Sequence, residues 1–132
     1  MEDFRYNKVL LVDDSEIDNF INSKLISKTH FAKETVEKLS ASAALEYLKS
    51  ESKKPESLPE IIFLDIMMPV MDGFGFLEEY EKLPDIIKET CKIIMLSSSE
   101  SFKDLNRANS SRLVNKFLNK PLSEKALEVI RF

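Results

Sequence analysis

Acidic residues follow two apolar runs of this 132-residue sequence, and a lysine follows another. Asp13 and Asp14 come after the run KVLLV, Asp65 ends the run IIFLD, and Lys120 comes after LVNKFLN. Carboxylates that are crowded together repel, and a hard divalent cation such as Mg²⁺ relieves the repulsion by binding their oxygens. A carboxylate such as Asp65 can then attack a phosphoryl group to form an aspartyl phosphate, while Lys120 pairs with a phosphate oxygen.

Each of these residues also has an ordinary structural interpretation. Asp13 and Asp14 could cap the helix that follows them, Asp65 could begin a turn, and Lys120 could be a solvated charge at a strand end. Their joint occurrence at successive strand ends favours the chemical interpretation over four separate structural ones.

A serine follows a further apolar run, KIIML, and could take part in the same chemistry. The hydroxyl of Ser97 is a candidate donor to a phosphate oxygen, with Ser98 and Ser99 as alternatives. In open sheets of parallel strands, ligands bind outside the carboxyl ends of the strands. We therefore expect Ser97 and the strand-end residues Asn119 and Lys120 to converge with the aspartates on one edge.

The elements that must position these residues are five strands alternating with five helices. Short apolar runs indicate buried strands, and apolar residues at three- and four-residue spacing indicate amphipathic helices between them. This alternation predicts an α/β fold in which right-handed crossovers build a parallel sheet covered on both faces. The predicted strands span residues 8–12, 34–39, 61–65, 92–96 and 113–119, and the predicted helices begin near Ser15, Ala41, Gly73, Ser101 and Ser123.

The helical patterns also predict which side chains face the core. The first helix is expected to be amphipathic, and its apolar residues at helical spacing are Ile17, Phe20, Ile21, Leu25 and Ile26. The third is expected to span Gly73 to Leu83, with Phe74, Leu77 and Tyr80 inward. The segment from Ser101 to Ser110 has a thin apolar face, which predicts a marginal and mobile helix.

Composition restricts the class of protein. Hydrophobic residues make up 43% and charged residues 32% of the chain, as in a water-soluble globular domain. The formal net charge of -4 argues against a nucleic-acid surface, and one cysteine excludes an internal disulfide. No apolar stretch reaches membrane-spanning length and the N-terminus lacks a signal-peptide pattern, so we expect a cytoplasmic protein whose partner is a protein. His30 and Cys91 are expected to have no chemical role.

Four motifs, "LLVDD", "IIFLDIMMPVMDG", "IIMLSSS" and "FLNKPL", follow one another along the chain. With these motifs the chain resembles a response-regulator receiver domain (CheY-like) of bacterial two-component signalling, over residues 1–132. The resemblance implies a flavodoxin-like (βα)5 fold, a doubly wound five-stranded parallel sheet with strand order 2-1-3-4-5. It also implies one stand-alone domain, since the chain ends as the fifth helix should end.

The resemblance assigns a role to each candidate residue. The three roles that it implies are phosphoryl transfer, metal binding and switching. It also implies a cis peptide bond at Lys120-Pro121. Asp65 is the implied phosphoacceptor, Asp14 a direct Mg²⁺ ligand, Asp13 a ligand through water, Met67 the donor of a backbone carbonyl to the metal, Lys120 the phosphate-pairing lysine, and Ser97 and Phe117 the switch pair. Two positions depart from the family pattern: Lys116 replaces a frequent glycine before the switch aromatic, and Ser98 replaces a small alanine or glycine.

The function that follows is a phosphoacceptor that switches a protein-binding face, rather than an enzyme. A histidine kinase or a histidine phosphotransfer protein is the implied donor, no nucleic acid or membrane is expected, and a monomer or weak homodimer is the expected state. A phosphorylation-independent, receiver-like scaffold is the main alternative. A phosphatase with an aspartyl nucleophile would need a second acid at position 67, which is Met67, and an FMN carrier would need a phosphate loop after the first strand, which is lacking.

Overall fold

Parallel strands and helices alternate along most of the chain in the computed structural model, which describes residues 3–98 and 102–132, with only the backbone at residue 102. The elements are β1 (Tyr6–Val12), α1 (Glu16–Lys28), β2 (Ala32–Lys38), α2 (Ala41–Glu51), β3 (Ile61–Asp65), α3 (Gly73–Tyr80), α4 (Asp85–Thr90), β4 (Lys92–Ser97), α5 (Phe102–Ser110), β5 (Val114–Asn119) and α6 (Glu124–Glu128). The strands form one sheet in the order β2-β1-β3-β4-β5. All its pairings are parallel, so the predicted α/β fold and strand order are confirmed.

The central strand β3 shows why the strand runs are continuously apolar. All five of its residues are buried. Ile62 and Leu64 pack into a cluster with α2 and α3 on one face, whereas Ile61 and Phe63 pack into a cluster with Ile26 of α1 on the other. Because both faces of a parallel sheet are covered by helices, neither side of the strand needs polar residues.

The segment after β3 differs from the prediction of one helix over Gly73 to Leu83. Helix α3 ends at Tyr80, and a separate helix, α4, follows from Asp85, so the described residues hold six helices rather than five. Pro84 accounts for the break, because a residue that precedes proline is disfavoured in the helical conformation. The inward face was predicted correctly: Phe74, Leu77 and Tyr80 are all buried.

Helix α1 begins where predicted, but only part of its apolar side faces the core. The buried residues of α1 are Asn19, Asn22 and Ile26. Three apolar residues instead face outward, and we call them the α1 apolar strip: Ile17 is 72%, Phe20 57% and Ile21 54% exposed. The expectation that the apolar residues of α1 pack inward is therefore wrong for these three.

Polar anchors at the start of α1 explain its orientation. The Ser15 hydroxyl accepts a hydrogen bond from the backbone N–H of Asp18 at 3.1 Å and caps the helix. The side-chain amide of Asn19 donates to the backbone carbonyls of Asp13, at 3.0 Å, and of Lys38, at 3.4 Å. These bonds satisfy carbonyls at the sheet edge, and they hold the side of α1 that carries Asn19 against the sheet.

The C-terminal part of the chain contains a helix cap at the predicted helix start and the predicted cis peptide. Ser123 caps α6 by accepting from the backbone N–H of Ala126 at 3.1 Å, and the Lys120-Pro121 bond is cis. Arg5 donates to the carbonyl of Leu127 and thereby ties α6 to the start of the chain. The alternative hydroxyl Ser99 and the expected helix start at Ser101 lie outside the described residues. No helix within those residues has the length and apolar character needed to cross a membrane.

Candidate functional site

The predicted site residues meet at the carboxyl edge of the sheet. Asp13 follows β1, Asp65 is the last residue of β3, Ser97 is the last residue of β4, and Lys120 follows β5. The register places Asp65 beside Leu96 and Ser97 beside Asn119 on the neighbouring strands. Parallel pairing therefore brings together residues that are far apart in sequence.

Three carboxylates form a tight group at this edge. Asp13, Asp14 and Asp65 each offer an oxygen, and these oxygens lie within 4.8 Å of one another. Asp13 is 4% and Asp65 5% exposed, whereas Asp14 is open to solvent. An all-oxygen set with one open side fits a small hard cation such as Mg²⁺, which binds a few carboxylates and keeps several waters.

Lys120 is shared among several carboxylates. Its ammonium nitrogen lies 2.7 Å from Asp13 Oδ2, 3.1 Å from Asp18 Oδ2 and 3.4 Å from Asp65 Oδ1. Burial alone would lower the pKa of Lys120, but its hydrogen bonds to Asp13 and Asp18 outweigh that effect and raise the pKa above its usual value. The lysine therefore keeps its charge and holds the acidic group together.

Asp65 is harder to ionise than an ordinary aspartate. Burial and the nearby charge of Asp13 raise its pKa from 3.8 to about 6, although Lys120 acts in the opposite direction. Asp65 is therefore largely ionised at neutral pH, at a cost that a bound cation would relieve.

Backbone and side-chain bonds fix the position of Asp13. Its backbone N–H donates to the carbonyl of Lys38 at 3.1 Å, and its Oδ1 accepts from the backbone N–H of Ser15 at 2.9 Å. Asn19 donates to its carbonyl, as described above. One carboxylate oxygen of Asp13 thus holds the turn into α1 while the other faces Lys120. The helix cap itself is Ser15, so the interpretation of Asp13 as the cap is wrong, and its role as a metal ligand stays a prediction.

The loop after β3 packs closely against Asp65. The backbone N–H of Gly73 donates to the carbonyl of Ile66 at 2.8 Å. A Cβ atom on Gly73 would lie 2.9 Å from the backbone oxygen of Asp65, closer than real contacts allow. Asp72 caps α3 by accepting from the backbone N–H of Gly75 at 2.8 Å. Gly73 therefore allows α3 to begin directly against the backbone of Asp65.

The residues predicted to act as switch and metal-carbonyl donor occupy different environments. Ser97 is buried, and its carbonyl accepts from the backbone N–H of Lys120 at 2.8 Å. Phe117 on β5 is half-buried and packs against the core cluster beneath α5. Met67, two residues after Asp65, is 65% exposed. Its carbonyl as a metal ligand, and the switch roles of Ser97 and Phe117, stay predictions.

Two residues of α1 belong to the site although the sequence did not indicate them. Asp18 binds Lys120, and Asn19 braces the backbone of Asp13. Asp18 stands in the first turn of α1, but its partner Lys120 is 102 residues away in sequence, so no local spacing could have found the contact. The apolar residues around both positions predict the opposite side of the helix as its inward face.

The sheet order and the acidic edge with its lysine define a flavodoxin-like α/β protein with a site at the carboxyl ends of its strands. The sequence matches the response regulator receiver domain family over residues 9–130, and the chain belongs to this family. Members of this family are the phosphoacceptors of two-component signalling.

Similar proteins come from several kinds of organism. A two-component response regulator from Cytophaga hutchinsonii has 32% identity and a TM-score of 0.86, and the match covers 94% of this chain and 92% of that one. The probable methanogenesis regulatory protein FilR2 of Methanothrix harundinacea is 30% identical over 87% of this chain and 72% of its own. The two-component response regulator ORR1 of rice (Oryza sativa subsp. japonica) is 27% identical over 94% of this chain, which spans only 53% of ORR1.

Proposed function

We propose that this protein accepts a phosphoryl group on Asp65 from a phosphohistidine of a histidine kinase or histidine phosphotransfer protein, in a Mg²⁺-dependent reaction. The observation that carries this proposal is the position of the Asp65 carboxylate. It lies in the acidic group at the end of β3 and 3.4 Å from the Lys120 ammonium. A nucleophile, an acidic group suited to a metal, and a cation for the phosphoryl oxygens are thus together at one edge.

The reaction requires one bond to form and one to break. A carboxylate oxygen of Asp65 attacks phosphorus, the phosphorus–nitrogen bond of the phosphohistidine breaks, and its electron pair stays on the imidazole nitrogen. Lys120 orients the carboxylate before transfer and pairs with a phosphoryl oxygen afterwards. Burial of Asp65 keeps bulk water away from the attacking oxygen.

Mg²⁺ would be held by Asp13, Asp14 and Asp65, with the backbone carbonyl of Met67 as a further ligand. When bound, the ion supplies positive charge that offsets the charge of the carboxylates and the phosphoryl oxygens. The fit rests on the donor set, which consists of oxygens, and on the open side of the group at Asp14.

The signal would leave the site through Ser97 and Phe117. Phosphorylation adds roughly -1.5 to -2 of charge and strong acceptor oxygens, which would attract the Ser97 hydroxyl. Phe117 could then turn further inward, and α5 would shift with it. The packing of α5 supports this route: Ala108 is buried in the cluster against which Phe117 packs, and Arg107 stacks 3.9 Å from the centre of the Phe74 ring in the same cluster.

A groove beside Lys120 supports a macromolecular donor. Ile21 and Asn22 of α1 line one side of it, and Ser98 and Leu122 line the other. Its volume of about 360 Å³ leaves room for a side chain of the donor next to the site. The cytoplasmic location, the bacterial origin and the monomeric or weakly dimeric state remain predictions.

Intact mass spectrometry after incubation with acetyl phosphate and Mg²⁺ tests the proposal. We expect one phosphoryl adduct on the wild type, stable in acid and lost in base, and none on Asp65→Asn. Asp85→Asn is the matched control, because its carboxylate is 87% exposed on α4, which precedes β4. It should be modified like the wild type.

Two results would contradict the proposal. An adduct on Asp65→Asn would place the phosphoryl group elsewhere. No adduct on the wild type, together with no Mg²⁺-dependent binding of beryllofluoride, would favour the phosphorylation-independent scaffold.

A further inference from the structure

The Lys120 ammonium has a third carboxylate partner outside the acidic group. A lysine ammonium carries three N–H donors, and three carboxylates surround this one: Asp13 at 2.7 Å, Asp18 at 3.1 Å and Asp65 at 3.4 Å. Two of these donors make hydrogen bonds, to Asp13 and Asp18, and the ammonium also faces Asp65 in an ion pair. If Lys120 turns more of its N–H groups toward a phosphoryl group on Asp65, it must give up a hydrogen bond to Asp13 or Asp18.

The three partners differ in how easily they can be released. The side chains of Asp13 and Asp65 are 5% and 6% exposed, and that of Lys120 is 15% exposed. A carboxylate that loses its partner in such a buried position keeps the full cost of its lost hydration. The side chain of Asp18 is 43% exposed, so water can replace Lys120 at its oxygen. Asp18 is therefore the partner whose release costs least.

Asp18 is also held in place independently of the site. Its backbone N–H donates to the hydroxyl of Ser15, the N-cap of α1. The side chain lines the groove beside Lys120 and does not belong to the group of three carboxylates. This bond therefore ties the ammonium to α1, outside that group.

We propose that Asp18 is a positioning residue that holds Lys120 in the unphosphorylated protein and competes with the phosphoryl group for it. The inference rests on the proposed phosphoacceptor function of Asp65. Breaking the Lys120–Asp18 bond is then part of the free-energy cost of phosphorylation. The bond therefore stabilises the unphosphorylated state. Removing the Asp18 carboxylate should make a phosphoryl mimic bind more tightly, because Lys120 then has no bond to Asp18 to break.

Binding of beryllofluoride in the presence of Mg²⁺, followed by ¹⁹F NMR, measures this competition. We expect Asp18→Ala to bind about three- to five-fold more tightly than the wild type, the size expected for a partly exposed ion pair. The substitution leaves the backbone bond to Ser15 intact. Glu16→Ala is the matched control, since it also removes an acid from the first turn of α1. Its affinity should stay at the wild-type value.

A second measurement follows the contact itself. The ¹H–¹⁵N signal of the Lys120 ammonium, assigned by its loss in Lys120→Arg, should be protected from solvent exchange in the metal-free wild type. Asp18→Ala should speed that exchange because one N–H loses its acceptor, whereas Glu16→Ala should not. A structural role of Asp18 in α1 alone would change neither this signal nor the affinity for beryllofluoride.

The outcomes separate the two proposals. Wild-type protein that binds beryllofluoride, with equal or weaker affinity in Asp18→Ala, would overturn the role of Asp18 and leave the phosphoacceptor function standing. An equal gain in beryllofluoride affinity in Glu16→Ala would assign the effect to the negative charge at the start of α1. That result would also overturn the positioning role of Asp18. Wild-type protein that binds no beryllofluoride would overturn the phosphoacceptor function and this inference with it.

Discussion

Replacing Asp65 by asparagine should stabilise the protein at neutral and alkaline pH. Burial and the charge of Asp13 raise the pKa of Asp65 from 3.8 to about 6. A pKa difference of about 2 corresponds to about 3 kcal/mol, which is the cost of ionising this group in the folded protein. Asparagine has nearly the same shape and no charge, so Asp65→Asn should increase the free energy of unfolding by up to about 3 kcal/mol at pH 8.

The pH dependence of this gain has a definite sign. Between pH 4 and pH 6 the folded protein holds a proton on Asp65 that the unfolded chain has lost, so the wild type loses stability as the pH rises through this window. Asp65→Asn lacks this proton. Its advantage over the wild type should be complete above about pH 6 and should vanish near pH 4.

Urea unfolding in metal-free buffer at pH 4, 6 and 8 measures the effect. Asp85→Asn, at an exposed position on α4, should show little change at any of these pH values. Added Mg²⁺ should stabilise the wild type and reduce its disadvantage, because the ion binds the folded acidic group. This account of Asp65 would be refuted if Asp65→Asn were no more stable than the wild type at pH 8. It would also be refuted if the gain in stability at pH 4 were as large as the gain at pH 8.

Three further predictions concern the support of the site and the core. Gly73→Ala should lower the free energy of unfolding by about 1–3 kcal/mol, because its Cβ would meet the backbone of Asp65. Gly75→Ala should cost less, because the nearest atoms to its Cβ are side-chain atoms of Met71 and Asp72, which can shift more easily than backbone. Urea unfolding of both variants checks this. Ser123→Ala should cost about 1 kcal/mol in the same assay through loss of the α6 cap. Burial raises the pKa of the Cys91 thiol to about 12, so a thiol reagent at pH 8 should modify it only after unfolding; rapid modification of the folded protein would contradict its burial.

The strands were predictable because a sheet covered on both faces requires uninterrupted apolar residues. The run IIFLD gave the bounds of β3 and placed Asp65 at its end. The convergence of this aspartate with Lys120 then followed from parallel pairing alone. The order of the strands followed from the resemblance to the receiver family, because the apolar runs contain no information about which strands are neighbours.

Other features could not be predicted because long-range polar contacts decide them. The apolar spacing in α1 predicts an amphipathic helix, but the bonds of Asn19 to two strand-end carbonyls determine which side faces the sheet. Asp18 and Lys120 are 102 residues apart in sequence, so no local pattern links them. Helix α4 has only six residues, too few to show a period.

The α1 apolar strip has a consequence for the colloidal behaviour of the protein. Its three side chains, Ile17, Phe20 and Ile21, are open to water on a molecule whose formal net charge at pH 7 is -4. Repulsion between molecules opposes contact between such strips, and it disappears near the isoelectric point, about pH 5.1. Solubility should therefore be lowest near that pH. A phosphoryl group adds negative charge, so phosphorylation should strengthen the repulsion between molecules and raise their solubility.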